Sequence, residues 1–552
     1  MSAKRKRDGG CRRILAAVES TEAKLERNGT TTFVMSLVFP AICLLFVPFL
    51  LYRRPTMELL QTLRVSTGIG SNGVEPSRDR LLGGLLSPEF DESSCLSRFQ
   101  SALYRKGSHH LPSQHLVEKL RRYEALHKKC GPGTALYNKS IEQLKSNQST
   151  GTMECNYLVW IPHYGIGNRV MSIVSGFLYA LLNDKVLLVH VPDDMDDLLC
   201  EPFPGTTWAV PKDFPVKDFH KFDRDAPMRY GALLRDKVIS NDMRSATNAA
   251  LPAYVYLHLP WYNSEWDRLF YCGEAQQMVR RIPWLFFRTD EYFAPLLFLV
   301  DEYSEELQRL FPEKTTVFHH LVRYLFHPSN TVWGHVMRYY HAYLARADEI
   351  VGIQVRIFPL VPIPFETMLN QIMNCALNER ILPRPLEFEE KPQSAPPRNG
   401  LKVKAVLVTN LNGSYHDRLR DMYYEYPLEA RDEVVAVYQP SHEQAQHTDE
   451  RGHNVKALAE MVLLSFSDVL VTTAKSTFGY VAQGLGGLRP WILLRKPEDG
   501  EPACVRAAST EACLHEPPKY DCKTGKRGVD MSAAVPFLRR CEDVADGLKL
   551  FD

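Results

Sequence analysis

The sequence predicts an α/β protein with two doubly wound domains that face each other across a cleft, preceded by one transmembrane helix and a stem. Two separated strand–turn–helix–strand patterns, at residues 156–191 and 351–494, indicate two parallel sheets. A run of twenty residues without a charge, 33–52, is long enough for the membrane helix. The predicted segments are a cytosolic tail (1–32), the membrane helix (33–52), a stem (53–94), an N-terminal helical and α/β domain (95–345) and a C-terminal α/β domain (346–552).

The charges on either side of residues 33–52 predict the orientation in the membrane. Eight Lys or Arg residues precede this run, whereas three, Arg53, Arg54 and Arg64, follow it closely. By the positive-inside rule the N-terminus then stays in the cytosol, and the chain after residue 52 is lumenal. A cleaved signal peptide would end in small residues, which Arg53 and Arg54 do not provide. A buried core helix or hairpin is the alternative to a membrane span.

Composition and cysteine usage point to an oxidising compartment. The net charge of +1 argues against a nucleic-acid-binding protein, which needs a basic surface. Ten of the twelve cysteines follow the predicted span, which suggests disulfides, and residues 504–541 are expected to be stapled within themselves. A zinc site is the alternative, but no Cys-x-x-Cys pair is present. Acceptor sequons for N-glycosylation occur at Asn138, Asn147 and Asn412.

The first half of the lumenal chain combines helices with one βαβ unit. Residues 95–148 carry apolar side chains at helical spacing, such as Leu116 and Leu120. A strand at 156–162 is followed by the Gly-rich turn 163–168, a helix at 169–183 and a strand at 186–191. This order is typical of a parallel sheet.

The second half repeats the alternation of strands and helices. The expected strands are 351–358, 404–409, 434–438, 468–473 and 491–494, and the expected helices are 365–381, 415–426, 455–466 and 478–485. A proline-rich loop occupies residues 387–400.

Two features of the second half predict an anion site. In the turn 473–479, Ser476 or Thr477 would cap a helix whose first N–H groups and dipole favour a phosphate, and Lys475 would add charge. A purely structural cap is the alternative. Arg356 is placed within an apolar strand, where it needs an anionic partner, and its planar guanidinium suits a diphosphate. A structural carboxylate is the alternative partner.

Several strings resemble the plant family of galactoside 2-α-L-fucosyltransferases, which includes the xyloglucan fucosyltransferases. The resemblance covers about residues 150–550 and implies a GT-B-like fold of two Rossmann-type domains, GDP-fucose as donor, and a type II Golgi membrane protein with a lumenal catalytic domain. The strings that carry it are 194–205 (DMDDLLCEPFPG), 282–287 (IPWLFF), 319–320 (HH), 324–330 (YLFHPSN), 437–442 (VYQPSH), 476–487 (STFGYVAQGLGG) and 517–522 (PPKYDC).

The resemblance also implies roles for individual residues. Asp290 and Arg356 are the expected catalytic residues, with Asp290 as base or positioning group. The expected donor site consists of Arg356, Gln439, Ser441, His442, Ser476, Thr477 and Phe478. The expected acceptor side consists of Gly165, Gly167, Asn168, Arg169 and His163.

The implied reaction is the inverting, metal-independent transfer of L-fucose from GDP-fucose to the 2-hydroxyl of a terminal galactose. The acceptor would be a polysaccharide or glycoprotein of the plant cell wall, of xyloglucan or arabinogalactan type. No cofactor and no nucleic-acid partner are expected, and a homo-oligomer is left open.

Two further hypotheses rest on particular residues. Asp194 and Asp196 fit the Asp-x-Asp pattern with which GT-A transferases hold a metal ion and a nucleotide diphosphate. Departures from the family pattern at 163–164, 257–266, 359–364 and 475 leave a non-catalytic glycan-binding paralogue as the third hypothesis.

Overall fold

A computed structural model describes residues 80–105, 107–146, 153–242, 251–260, 264–386, 400–494 and 502–552. The residues in these ranges belong to one compact unit. Within the described ranges, no helix is long and apolar enough to cross a membrane. The predicted membrane helix, most of the stem, the sequon at Asn147 and nearly all of the proline-rich loop lie outside these ranges.

Three helices occupy the region where the sequence indicates one helical stretch. They are α1 (Leu96–Tyr104), α2 (Gln114–Cys130) and α3 (Ala135–Ser146). The stretch divides because Gly131-Pro132-Gly133 cannot continue α2. At its other end α2 begins where the Ser113 hydroxyl accepts a hydrogen bond from Leu116 N at 3.0 Å.

The first sheet contains four parallel strands in the order β2-β1-β4-β3. Its strands are β1 (Asn156–Trp160), β2 (Lys185–Val189), β3 (Tyr254–His258) and β4 (Trp284–Arg288), and the helices around them are α4 (Ile166–Leu182), α5 (Tyr230–Arg235), α6 (Glu265–Arg268), α7 (Gly273–Val279), α8 (Ala294–Leu297), α9 (Ser304–Leu310), α10 (Val317–Leu325) and α11 (Asn330–Tyr339). The predicted βαβ unit is therefore present, with α4 beginning inside the Gly-rich turn. Strands β3 and β4 were not predicted from the sequence.

The second sheet contains six strands in the order β10-β9-β8-β5-β6-β7, of which only the edge strand β10 is antiparallel. Its elements are β5 (Glu349–Gln354), α12 (Phe365–Asn378), β6 (Lys402–Thr409), α13 (Ser414–Glu425), β7 (Glu433–Tyr438), α14 (Arg451–Leu464), β8 (Val469–Thr473), α15 (Thr477–Gly486), β9 (Trp491–Leu493) and β10 (Cys504–Arg506). All the predicted strands and helices of this half are present, which confirms two parallel α/β sheets.

The last 46 residues return to the first half of the chain. They include the hairpin of β11 (Leu538–Arg540) and β12 (Leu548–Leu550), and the Phe537 ring packs against Phe298. The Asp552 carboxylate accepts a hydrogen bond from Lys314 N at 2.5 Å. This C-terminal segment, defined as residues 507–552, therefore packs against the first half of the chain.

Five disulfides correct the expected cysteine pairing. Of the four cysteines expected to be stapled together, only Cys513 and Cys541 pair with each other. Cys504 pairs with Cys375 and Cys522 with Cys272, so these two bonds close long loops across the fold. The remaining bonds are Cys95–Cys200 and Cys130–Cys155.

Candidate functional site

A cleft of about 660 Å³ lies where the loops after the strands of both sheets meet. In open α/β sheets such loops are the usual ligand-binding elements. Predicted site residues in its lining are Gly165, Gly167, Asn168, Asp290, Arg356, Ser441, Ser476, Thr477 and Phe478. The structure thus brings together residues that are up to 313 positions apart in sequence, from Gly165 to Phe478.

Asn168 connects the two halves of this cleft. The Thr477 hydroxyl donates a hydrogen bond to Asn168 Oδ1 at 3.1 Å, and Asn168 Nδ2 donates one to the carbonyl oxygen of Asp290 at 3.4 Å. The start of α4, the residue after β4 and the start of α15 are therefore linked by one side chain.

Gly167 allows this close approach. A Cβ atom at Gly167 would lie 2.6 Å from Thr477 Oγ1 and about 3.0–3.1 Å from backbone atoms of Thr477 and Phe478. Real Cβ atoms do not tolerate a contact of 2.6 Å, so only glycine fits here without displacing α15.

The turn before α15 presents backbone donors to the cleft. Ser476 is the N-cap of α15, but its side chain makes no capping hydrogen bond, so the first N–H groups of the helix keep their capacity for an anion. Lys475 adopts a left-handed conformation with φ of 58°, and its N–H donates to Asp543 Oδ2 at 2.9 Å. Lys475, Ser476, Thr477 and Phe478 all line the cleft.

Arg356 lies after its strand rather than within it, which corrects the prediction. β5 ends at Gln354, the last residue that pairs with both β6 and β8, and Arg356 N donates to the Thr473 hydroxyl at 2.9 Å. The guanidinium donates to Gln446 Oε1 and lies over the Phe358 ring at 5.4 Å. Burial lowers the pKa of Arg356.

No carboxylate in the described part of the chain pairs with Arg356. The alternative partner predicted for Arg356, a structural carboxylate, is therefore not found among these residues. A half-buried cation beside a helix N-terminus, held only by an amide oxygen and an aromatic ring, has the capacity to bind an anion of the cleft.

Two neighbouring carboxylates stand on the other side of the cleft. Asp290 and Glu291 follow β4, and both line the cleft. Glu291 is buried, and its Oε2 accepts a hydrogen bond from His515 N at 3.0 Å. Burial, reinforced by the nearby Asp290, raises the pKa of Glu291, so the pair tends to hold a proton. Glu291 was not predicted from the sequence, although it adjoins the predicted Asp290.

Ser441 is fixed by a glutamate that the sequence did not single out. Its N–H and hydroxyl both donate to Glu460 Oε1, at 3.0 and 2.6 Å. Burial raises the pKa of Glu460 to about 7. Two predicted donor residues lie outside the cleft lining: Gln439 is buried and donates to Asn410 Oδ1 at 3.4 Å, and His442 is exposed.

Arg169 does not face the cleft, contrary to the prediction. It is buried, donates from Nε to the carbonyl oxygen of Tyr164 at 2.8 Å, and forms an ion pair with Asp194. Asn454 Nδ2 also donates to Asp194 Oδ2 at 2.8 Å. Arg169 therefore stabilises the Gly-rich turn through its hydrogen bond to Tyr164. Asp194, the first carboxylate of the Asp-x-Asp pattern, is occupied by its contacts with Arg169 and Asn454.

His163 also lies outside the cleft lining, packed against the ring of Tyr164. Burial, together with the nearby Arg288, lowers the pKa of His163 to about 4, so it is neutral near pH 7.

Among the described residues, one group of three potential metal ligands lies close together: Cys513, Cys541 and Asp543. The two cysteines form a disulfide, and the Asp543 carboxylate accepts hydrogen bonds from Lys475 N and the Tyr480 hydroxyl. The donor set does not suit a metal ion.

Two of the three sequons have exposed asparagines. Asn138 lies on α3, and Asn412 follows β6, close to Leu411 in the cleft lining. Both side chains are accessible to glycosylation.

A model of the xyloglucan fucosyltransferase family matches residues 58–523. The chain is 50% identical over 497 residues to a galactoside 2-alpha-L-fucosyltransferase of Pisum sativum, covering 89% of this chain and 86% of the relative. It is 47% identical over 537 residues to a galactoside 2-alpha-L-fucosyltransferase of Arabidopsis thaliana, covering 97% and 94%.

A solved structure supports the same family membership. A mutant of Arabidopsis thaliana FUT1 in complex with GDP superposes with a TM-score of 0.77 at 49% identity, covering 86% of this chain and 100% of that chain.

Proposed function

The chain belongs to the xyloglucan fucosyltransferase family, and from this premise we propose that it transfers L-fucose from GDP-fucose to the 2-hydroxyl of a terminal galactose on a cell-wall glycan. The acceptor would be of xyloglucan or arabinogalactan type. The proposal includes inversion at the fucose carbon without a metal ion.

The observation that carries the proposal is the position of Arg356. The guanidinium lies in the cleft beside the uncapped start of α15 and has no carboxylate partner among the described residues. A nucleoside diphosphate supplies the missing charge, because guanidinium and phosphate form bidentate hydrogen bonds. FUT1 of Arabidopsis thaliana, which matches this chain over its whole solved length, was crystallised with GDP.

The same groups explain how the reaction would be accelerated. When the bond between fucose and GDP breaks, negative charge builds on the β-phosphate. Arg356 and the turn that begins α15 line the same cleft, so with the diphosphate bound there they would stabilise the transition state more than the ground state.

Asp290 would act on the other face of the sugar. Its backbone is tied through Asn168 to Thr477, so the carboxylate is held relative to the donor helix. From this position it would orient the acceptor hydroxyl or take its proton. A loose transition state, with charge leaving on the diphosphate, makes a strong base less necessary.

The contacts of Asp194 support metal independence. Its carboxylate is buried against Arg169 and Asn454, whereas a metal-binding Asp-x-Asp pair needs its oxygens directed at the ion. Asp196 is exposed, and its carbonyl oxygen accepts a hydrogen bond from Arg451 Nε at 2.7 Å. The GT-A hypothesis has no support in these contacts.

The proposal is tested by transfer of radiolabelled fucose from GDP-fucose to galactosylated oligosaccharides in EDTA. The wild type should be active, Asp196→Ala should be unchanged, and Arg356→Ala should lower kcat/KM by at least about 100-fold through lost charge stabilisation. Arg506→Ala is a matched control, because Arg506 lies over the Trp491 ring at 5.2 Å, outside the cleft lining.

Each contrary result has a definite meaning. Strict dependence on Mn²⁺, with loss of activity in Asp196→Ala, would favour a GT-A enzyme. GDP binding without turnover on any galactoside would favour the non-catalytic paralogue.

We also propose that the protein is a type II Golgi membrane protein with residues after 52 in the lumen. The five disulfides and the exposed sequons at Asn138 and Asn412 support exposure to an oxidising, glycosylating compartment.

A further inference from the structure

Gln446 lies in the cleft between Arg356 and the Gly-rich turn. Its Oε1 accepts the hydrogen bond from the Arg356 guanidinium, and a Cβ atom added at Gly165 would lie 2.7 Å from its Nε2. All three residues line the cleft. The carboxamide of Gln446 therefore reaches from one side of the cleft to the other, through the space where a donor bound at Arg356 would face an acceptor.

The segment that carries Gln446 connects β7 to α14 without regular secondary structure, and we define residues 442–447 as the Gln446 loop. No backbone–backbone hydrogen bond joins the first five residues of this loop to any other described residue. Side chains hold the loop instead, since Glu443 pairs with Lys456 of α14 and Gln446 bonds to Arg356. The contact with Arg356 therefore holds the middle of the loop over the cleft.

The chain on either side of the Gln446 loop is anchored in the protein. Just before the loop, the N–H and the hydroxyl of Ser441 donate to the buried Glu460. Just after the loop, the carbonyl oxygen of Thr448 accepts a hydrogen bond from Nδ2 of the buried Asn454 at 2.9 Å. The loop can therefore change its path between two fixed ends once the contact of Gln446 is broken.

The bond between Gln446 and Arg356 is one that a diphosphate can replace. A carboxamide oxygen is a neutral acceptor, whereas phosphate oxygens carry negative charge and accept bidentate hydrogen bonds from a guanidinium. Gln446 is also exposed, so water satisfies its carboxamide when the side chain leaves Arg356. An acidic side chain at this position would instead compete with the phosphate charge for charge.

We propose that the Gln446 loop is a lid over the donor site, and that Gln446 occupies the position of the diphosphate on Arg356 until the donor displaces it. The inference rests on the proposed function, in which Arg356 binds the diphosphate of the donor. Donor binding then breaks the bond between Gln446 and Arg356, and the loop moves away from Gly165. The same movement clears the space between the donor and the Gly-rich turn.

The proposal is tested by calorimetric binding of inorganic pyrophosphate and of GDP to the full-length protein. In Gln446→Ala both ligands should bind about fivefold more tightly, because no hydrogen bond has to be broken before the anion reaches Arg356. In Gln446→Glu both should bind about tenfold more weakly, because the carboxylate pairs with Arg356 and repels the anion.

Gln444→Ala is the matched control. Gln444 is an exposed glutamine of the same loop and is not part of the cleft lining, so its removal should leave both Kd values unchanged. Stopped-flow binding adds a second test. The gain in Gln446→Ala should appear in the association rate, because the replaced contact exists only before the anion binds. Slower dissociation with an unchanged association rate would overturn the lid, since Gln446 would then act on the bound state.

Fucose transfer measured in parallel separates this proposal from the proposed function. Tighter pyrophosphate binding in Gln446→Ala and weaker binding in Gln446→Glu support the lid even if no fucose is transferred, in which case the proposed function fails alone. Fucose transfer together with equal or weaker anion binding in Gln446→Ala overturns the lid and leaves the proposed function standing. Absence of anion binding in every variant overturns the lid as well.

Discussion

Gly167→Ala should move the two halves of the cleft apart, because the added methyl group would collide with the start of α15. The new Cβ would lie 2.6 Å from Thr477 Oγ1 and about 3.0–3.1 Å from two backbone atoms, and backbone cannot rotate away as a side chain can. Restoring ordinary contact of 3.4 Å or more moves the start of α15 by several tenths of an ångström. It also strains the hydrogen bond between Thr477 and Asn168.

The expected cost has two parts. Overpacking of a tight contact lowers the free energy of unfolding by about 1–3 kcal/mol, which lowers Tm by a few degrees. Displacing the N–H groups of α15 from the diphosphate should lower kcat/KM for GDP-fucose by roughly 10- to 100-fold, since small misplacements of positioning groups have effects of that size.

The measurements are steady-state kinetics with GDP-fucose varied and thermal unfolding of the same samples. Gly452→Ala is the matched control, because that glycine is also helical and its added Cβ meets nothing within 4 Å. The control should keep full activity and equal or slightly higher Tm, as alanine favours helices. Wild-type kcat/KM and Tm in Gly167→Ala would refute the inferred role of this contact.

Two further predictions concern stability and topology. Burial raises the pKa of Glu511 from 4.5 to about 8, so its protonated form is favoured in the folded state, and stability falls as pH rises from about 4.5 to 8 by up to about 5 kcal/mol. In Glu511→Gln, Tm should therefore fall less between pH 5 and pH 8 than in the wild type; an equal fall in both proteins would contradict the assignment. In protease-protection assays on intact microsomes, a C-terminal tag should survive and an N-terminal tag should be cleaved. The reverse pattern would contradict the type II orientation.

The parallel sheets were largely predictable because their signals are local. In the second half, four strand–helix alternations each show as a short apolar run followed by a helical pattern. Strands β3 and β4 lack this context. Their five-residue apolar sequences stand among short helices, and a run of that length does not distinguish a strand from a buried helix segment.

The misplacement of Arg356 has a simple physical origin. Residues 351–358 read as a continuous strand because Val355, Ile357 and Phe358 are apolar. Pairing with β8 ends at Gln354, and the Thr473 side chain takes the next free N–H group. The sequence predicted the cation correctly but not that it stands at the carboxyl end of the strand, where ligands bind.

Long-range pairings were beyond sequence analysis. Arg169 lies in the first turn of α4 and Asp194 follows β2, and nothing in the spacing indicates that they neutralise each other. Likewise, Cys272 and Cys522 are 250 residues apart, so their bond depends on the return of the C-terminal segment. Glu291 was not predicted because what distinguishes it is its burial. The sequence alone does not show whether a single acidic residue is buried.

The C-terminal segment explains how two distant half-sites keep one geometry. His515 N donates to Glu291 beside Asp290, and His515 Nε2 lies 3.3 Å from the Tyr480 hydroxyl in α15. Tyr480 in turn donates to Asp543, which also accepts from the N–H of Lys475 in the turn before α15. One covalently anchored segment therefore contacts both Glu291 and the turn proposed to bind the diphosphate. Because such contacts can be satisfied only when both halves are correctly placed, the segment fixes the distance across which fucose would be transferred.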